Sequence, residues 1–207
     1  MKNLLVIAMA ASAISANAFV WNESGDAGET LATAQLTAGN GPLTAISGSF
    51  LTEDADLFCI RVMDWRAFSA TTVGGSNQDT QLFLFTRAGM GIAANDDSTG
   101  VQSTLNAGNS LYAGRTNGEI VILGVSLYDR DPVSAGGEIF PDTPFSGVNG
   151  PTGPGGGSAL MGFDNNGDTA TGQYRVALTG TAACVPEPAT FAALGLGAAF
   201  LLRRRQK

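Results

Sequence analysis

The sequence predicts an all-β protein, a jelly-roll-like antiparallel β-sandwich flanked by an N-terminal signal peptide and a C-terminal hydrophobic helix. Three observations predict the sandwich. Short apolar runs recur at a spacing of roughly 8–12 residues, clusters of Gly, Asn and Asp separate them, and no helical period persists in residues 19–183. A body of this length suits one domain with a sizeable core.

The first 18 residues read as a secretory signal peptide. Lys2 supplies the positive charge, Leu4 to Ile14 form an apolar stretch, and Ala16 and Ala18 flank Asn17 in a small-x-small cleavage site. We therefore expect the secretion machinery and a signal peptidase as partners, and Phe19 as the mature N-terminus.

The body begins with residues 19–41, a polar and irregular segment for which we predict one helical turn near Thr30 to Leu36. In residues 80–86 both strand faces are apolar, with leucine on one side and phenylalanine on the other, which is typical of a core strand. The last predicted strand places Tyr174, Val176 and Leu178 on one face. The predicted strands are 43–51, 56–63, 66–73, 80–86, 91–94, 101–105, 119–128 and 172–179.

Residues 129–166 differ in composition from the predicted strands before them, and residues 146–158 are rich in glycine and proline. Such composition is typical of a flexible loop. We predict an insertion that projects from the sandwich, as a surface loop or a disordered segment.

The C-terminal tail, residues 184–207, has three parts. Pro186 and Pro188 favour an extended peptide because proline fixes φ and removes a backbone donor. The uncharged stretch 189–202 is predicted to be a transmembrane helix, although it is shorter than the roughly 20 residues that a full span needs. A basic stop of three arginines follows: Arg203, Arg204 and Arg205. These charges favour the cytoplasmic side of the membrane, so the body would lie outside. The alternative is a buried C-terminal helix of a globular core.

Val185, Pro186, Glu187 and Pro188, followed by an apolar stretch and the terminal arginines, resemble the PEP-CTERM sorting signal of Gram-negative bacteria that make exopolysaccharide. The resemblance implies an exosortase as partner, a membrane-embedded, cysteine protease-like transpeptidase that recognises the Pro-Glu-Pro motif and removes the helix. It further implies an inner-membrane intermediate, and then the envelope, the cell surface or the biofilm matrix. Because it covers only the tail, it implies sorting and nothing about the body.

The body resembles the bacterial pre-peptidase C-terminal domain in five segments. They are Asp54-Ala-Asp56-Leu-Phe, Asp79-Thr-Gln-Leu-Phe-Leu-Phe, residues 89–91, Asn95-Asp96-Asp97 and residues 172–178. This resemblance implies a β-sandwich with a non-catalytic, accessory role. Residues 129–166 depart from the pattern as a long insertion.

Charge and composition exclude several classes of function. The body carries seventeen acids and six arginines, a net charge of −11, with no lysine and no histidine. Such a surface repels nucleic acid, and it attracts divalent cations or simply keeps the protein in solution. The body therefore lacks the residues needed for a nucleophile activated by a histidine or lysine base. It also lacks the histidines of the usual catalytic zinc sites. A pair of carboxylates, as in glycoside hydrolysis, remains available.

Two cysteines occur in the chain, Cys59 and Cys184. Export to an oxidising space permits a disulfide between them. The alternative is two unpaired thiols, with Cys59 buried as a small hydrophobic residue.

If the body holds a cofactor, calcium is the one that its residues suit, because hard cations take oxygen ligands from acidic turns. The candidate ligands lie on turns that a sandwich could bring together: Asp54, Asp56, Asp79, Asp96 and Asp97. The alternative is that these residues serve only the turns themselves.

Three functions follow from these features. The first is a non-enzymatic exported protein of the envelope or the exopolysaccharide matrix. The second is a carbohydrate-binding module, for which exposed aromatic rings would be needed and Trp21, Trp65, Tyr112 and Tyr128 are the candidates. The third is a hydrolase with two carboxylates, which would need a concave cleft between them.

Overall fold

The computed structural model describes residues 17–186. The apolar stretch of the signal peptide with Ala16, the predicted helix 189–202, Glu187, Pro188 and the terminal arginines lie outside the described residues. Within 17–186 no helix is long and apolar enough to cross a membrane.

Fourteen strands and one 3-10 turn, Ser110–Tyr112, are present in the described part of the chain. The strands are β1 (Phe19–Asn22), β2 (Gln35–Leu36), β3 (Leu43–Phe50), β4 (Ala55–Val62), β5 (Ser69–Thr71), β6 (Thr80–Thr86), β7 (Gly91–Asn95), β8 (Thr104–Leu105), β9 (Glu119–Leu127), β10 (Pro132–Ser134), β11 (Gly137–Glu138), β12 (Gly162–Phe163), β13 (Gly172–Thr179) and β14 (Thr181–Ala183).

The prediction of an all-β sandwich is confirmed. One sheet has the order β1-β3-β13-β5-β8 and the other the order β14-β4-β9-β6-β7, with β2 also pairing with β4. Both sheets are mixed rather than purely antiparallel, since β1 pairs with β3 and β2 with β4 in parallel. Both parallel strands belong to residues 19–41, where we predicted an irregular segment. This N-terminal arm follows the edge of each sheet in turn.

The core between the two sheets follows from alternation along the strands. In β6, Leu82 and Leu84 face this core, while Phe83 and Phe85 point to the opposite face of the same sheet. β4 alternates in the same way, so both faces of the second sheet are apolar and both must be covered.

Residues 129–166 cover that outer face, which differs from our prediction of a projecting loop. Strands β11-β10-β12 form a small third sheet here. Apolar side chains of the segment are buried against the outer face at Phe83 and Phe85: Ile139, Phe140, Leu160 and Phe163. The chain therefore forms a third layer because the sheet beneath it presents phenylalanine rather than polar residues.

Three glycines of this segment allow close packing of backbones. A Cβ added at Gly155 would overlap the carbonyl oxygen of Gly137, and one at Gly156 would overlap that of Pro151. A Cβ at Gly153 would lie 2.9 Å from the carbonyl oxygen of Phe140. Composition alone does not distinguish glycines that allow motion from glycines that allow backbones to touch.

Candidate cation sites and the sorting region

The five predicted calcium ligands do not form one site. Instead, the structure brings carboxylates into two separate triplets, whose ligand atoms lie within 4.8 Å of one another in each. The first triplet is Glu23, Asp26 and Asp56, and the second is Asp79, Asp96 and Asp97. Asp54 belongs to neither; its Oδ2 accepts a hydrogen bond from the Leu51 backbone N–H at 2.8 Å.

The first triplet is assembled by the parallel pairing of β1 with β3, which places the turn after β1 beside the start of β4. The Glu23 carboxylate accepts hydrogen bonds from the backbone N–H groups of Ala27 at 3.0 Å and Ser49 at 2.9 Å. Asp56 is fully buried. Its Oδ2 accepts a hydrogen bond from the Tyr174 hydroxyl at 2.6 Å, whereas its Oδ1 has no partner among the described residues.

Burial raises the pKa of Asp56 far above its ordinary value. The hydrogen bond from Tyr174 opposes this shift, and the nearby carboxylates of Asp54 and Glu23 add to it. Burial, together with the neighbouring Asp56, also raises the pKa of Tyr174. A buried carboxylate of this kind keeps its proton unless a cation compensates its charge. The oxygen-only donor set is of the type that Ca²⁺ prefers.

The second triplet lies at one end of the β6–β7 hairpin, because Asp79 precedes β6 while Asp96 and Asp97 follow β7. Oδ1 of Asp79 and Oδ1 of Asp96 are buried and have no hydrogen-bond partner in the described part of the chain. Burial, reinforced by Asp97 and Asp79, raises the pKa of Asp96 to about 7. This second site has the same chemistry as the first, since three carboxylates are held together and none of them forms an ion pair within residues 17–186.

An exposed aromatic pair flanks the second triplet. Tyr128 and Phe145 are 40% and 41% exposed, with ring centroids 6.3 Å apart. The Tyr128 backbone N–H donates to the carbonyl oxygen of Asp79 at 3.1 Å, and the Asp97 N–H donates to that of Phe145 at 3.0 Å. Two rings and three carboxylates therefore share one surface region.

The other aromatic candidates are placed differently. Trp65 and Tyr112 are buried and pack on each other with ring centroids 5.3 Å apart. Trp21 is half-buried, and its indole N–H donates to the Gln35 side chain at 2.7 Å. Of the four predicted residues, only Tyr128 presents its ring prominently to solvent.

The sorting region begins at the end of β14, which runs antiparallel to β4. Cys184 follows it and forms a disulfide with Cys59 of β4, with Cα atoms 5.5 Å apart. Val185 is bridged to Ala38, and Pro186 is exposed. At the other end of the body, Ala18 is exposed directly before β1.

Comparison with known protein families finds a match at the C-terminal end of the chain. Residues 185–206 form a PEP-CTERM protein-sorting motif. The PEP-CTERM motif indicates an exported protein that an exosortase-type enzyme processes and sorts to the cell envelope. No curated protein and no solved structure matches the chain significantly, so the resemblance of the body to the pre-peptidase C-terminal domain has no support from these comparisons.

Sequence analysis missed Glu23, Asp26 and Tyr174 as neighbours of Asp56. Two acids within a Gly-containing turn, Asn22 to Gly28, were the available signal. Their position beside Asp56 depends on β1 being a strand that pairs with β3. Tyr174 was correctly placed on an inward face, but its hydrogen-bond partner comes from the opposite sheet.

Proposed function

We propose that the chain is a non-enzymatic protein that an exosortase-type system delivers to the cell envelope or the exopolysaccharide biofilm matrix of a Gram-negative bacterium. The PEP-CTERM motif at residues 185–206 carries this proposal. The acidic body, without lysine or histidine, is consistent with a passive structural or binding role in that location. An inner-membrane intermediate would precede processing.

The geometry of the carboxylates supports a non-enzymatic body over a two-carboxylate hydrolase. Each acid of a triplet offers one carboxylate oxygen within 4.8 Å of those of the other two, an arrangement that suits a shared cation. Burial raises the pKa of Asp131 to about 7, although a hydrogen bond from Gln81 opposes this shift. A pKa in this range would suit a general acid. The cavity that Asp131 shares with Asp96 is only about 20 Å³, however, which is room for about one water and not for a sugar ring.

Deletion of Pro186-Glu187-Pro188 tests the sorting proposal. We expect the full chain to be exported but to remain at its unprocessed mass in the membrane fraction, because the processing enzyme loses its recognition peptide. Cell fractionation followed by immunoblotting measures this. The exposed Met161→Ala variant serves as the control and should be processed normally. Unchanged processing and location of the deletion variant would defeat the proposal.

A carbohydrate-binding role, with calcium stabilising the body, is the second candidate. The exposed ring pair of Tyr128 and Phe145 beside the second acidic triplet favours it. Aromatic rings offer apolar faces to sugars, and a bound Ca²⁺ offers coordination to hydroxyl groups. This surface would then hold the protein in the matrix.

Thermal unfolding tests the calcium part of the proposal. We expect millimolar Ca²⁺ to raise the Tm by about 5–10 °C over a chelator, the effect of a ligand present at roughly 100 times its Kd. Asp56→Asn and Asp97→Asn should each reduce this shift, because each removes a charged ligand of one triplet. Asp54→Asn is the matched control and should retain it, since Asp54 lies in neither triplet. The same Tm in Ca²⁺ and chelator would rule out a structural calcium ion.

A further inference from the structure

The body holds the chain firmly up to the first residue of the sorting motif. Val185 donates its backbone N–H to the carbonyl oxygen of Thr37 at 3.1 Å, and its own carbonyl oxygen accepts from the Gly39 N–H at 3.2 Å. Both backbone groups of Val185 are thus occupied by the segment that follows β2. Pro186, the next residue, is exposed.

Cys184, the residue before Val185, is fixed even more strongly. Cys184 is buried and covalently joined to Cys59. Its N–H donates to the Thr37 hydroxyl at 2.9 Å, and its carbonyl oxygen accepts from the Arg61 guanidinium at 3.2 Å. We call Cys184 and Val185, with their partners Thr37, Gly39, Cys59 and Arg61, the C-terminal clamp.

The clamp competes with any enzyme that reads the motif as an extended peptide. Peptide-binding enzymes and domains commonly hold an extended chain through its main-chain N–H and C=O groups. The backbone groups of Val185 already have partners in the body, so an enzyme can use them only after both hydrogen bonds open. The disulfide prevents the residues before Val185 from being drawn into a cleft at all.

We propose that the C-terminal clamp restrains processing of the sorting motif, so that release of Val185 from the body precedes its engagement by the exosortase-type enzyme. This inference rests on the proposed function, because it assumes that processing occurs at the motif. The folded body thereby sets the rate at which the protein is released from the membrane.

A linker insertion separates the motif from the clamp without breaking the disulfide. In the test variant, Val-Gly-Ser-Gly-Ser-Gly-Ser is inserted between Cys184 and Val185, so that the inserted valine can occupy the clamp while the motif itself stands free. In the control variant, the same seven residues are inserted between Ala107 and Gly108, which are both exposed. Protease resistance of the body checks that each full chain folds.

Pulse-chase labelling in cells that contain the processing enzyme measures conversion of precursor to product. We expect several-fold faster conversion of the test variant than of the wild-type chain, and the wild-type rate for the control variant. A test variant converted at the wild-type rate or more slowly, with an intact body, overturns the clamp and leaves the sorting proposal standing. If the wild-type chain itself is not converted, both proposals fall.

Discussion

Replacing Cys59 and Cys184 together by alanine is expected to lower the free energy of unfolding by about 4 kcal/mol. The disulfide joins residues 125 positions apart, and closing so long a loop restricts the unfolded chain strongly. For a domain of this size the loss corresponds to a fall in Tm of about 8–16 °C. Alanine is preferred to serine because both positions are buried and a hydroxyl there would need a hydrogen-bond partner.

Differential scanning calorimetry of the exported chain, with and without a thiol reductant, provides the measurement. The reductant should lower the Tm of the wild-type protein and leave that of the double alanine variant unchanged. If the reductant did not affect the wild-type protein and the variant were equally stable, the two thiols would be unpaired in solution.

Phe140→Ala is expected to destabilise the body by about 3 kcal/mol, because it leaves a cavity in the third layer. Phe140 is only 5% exposed and its ring packs on Phe83 and Phe85, with centroids 5.8 Å and 5.7 Å away. Phe145→Ala is the matched control, since it makes the same chemical change in the same segment at an exposed position. It should cost under about 1 kcal/mol.

Denaturant unfolding of both variants measures the difference. Equal stabilities would mean that residues 129–166 do not contribute to the core and behave as the projecting loop that their composition indicated. A large loss for Phe140→Ala alone would establish the third layer as part of the cooperative fold.

Local pattern was sufficient for eight strands of the sandwich. Each of the eight predicted strands overlaps a strand in the structure, because an alternating or doubly apolar run is itself the condition for being half or fully buried. β1, β2, β10, β11, β12 and β14 were not predicted. Apart from β1 these are two or three residues long, too short to show a period, and they are strands only because a neighbouring strand offers them hydrogen bonds.

The candidate cation sites likewise combine features that the sequence predicted with features that only the fold decided. Asp56, Asp79, Asp96 and Asp97 were identified from their acidic turns, and each lies in a triplet. Their division into two sites, and the entry of Glu23 and Asp26 into one of them, depend on how distant strands pair. Spacing along the chain does not report such contacts.

The amino-acid sequence by itself determined the sorting motif, eight strands of the sandwich and the exclusion of histidine and lysine chemistry, because each is a property of consecutive residues or of composition. The tertiary structure alone decided that residues 129–166 cover a sheet face, that the acids form two triplets, and that the body holds Val185 at the start of the motif. These features arise where segments far apart in the chain bury surface or exchange hydrogen bonds, and that choice is made by the packed fold as a whole.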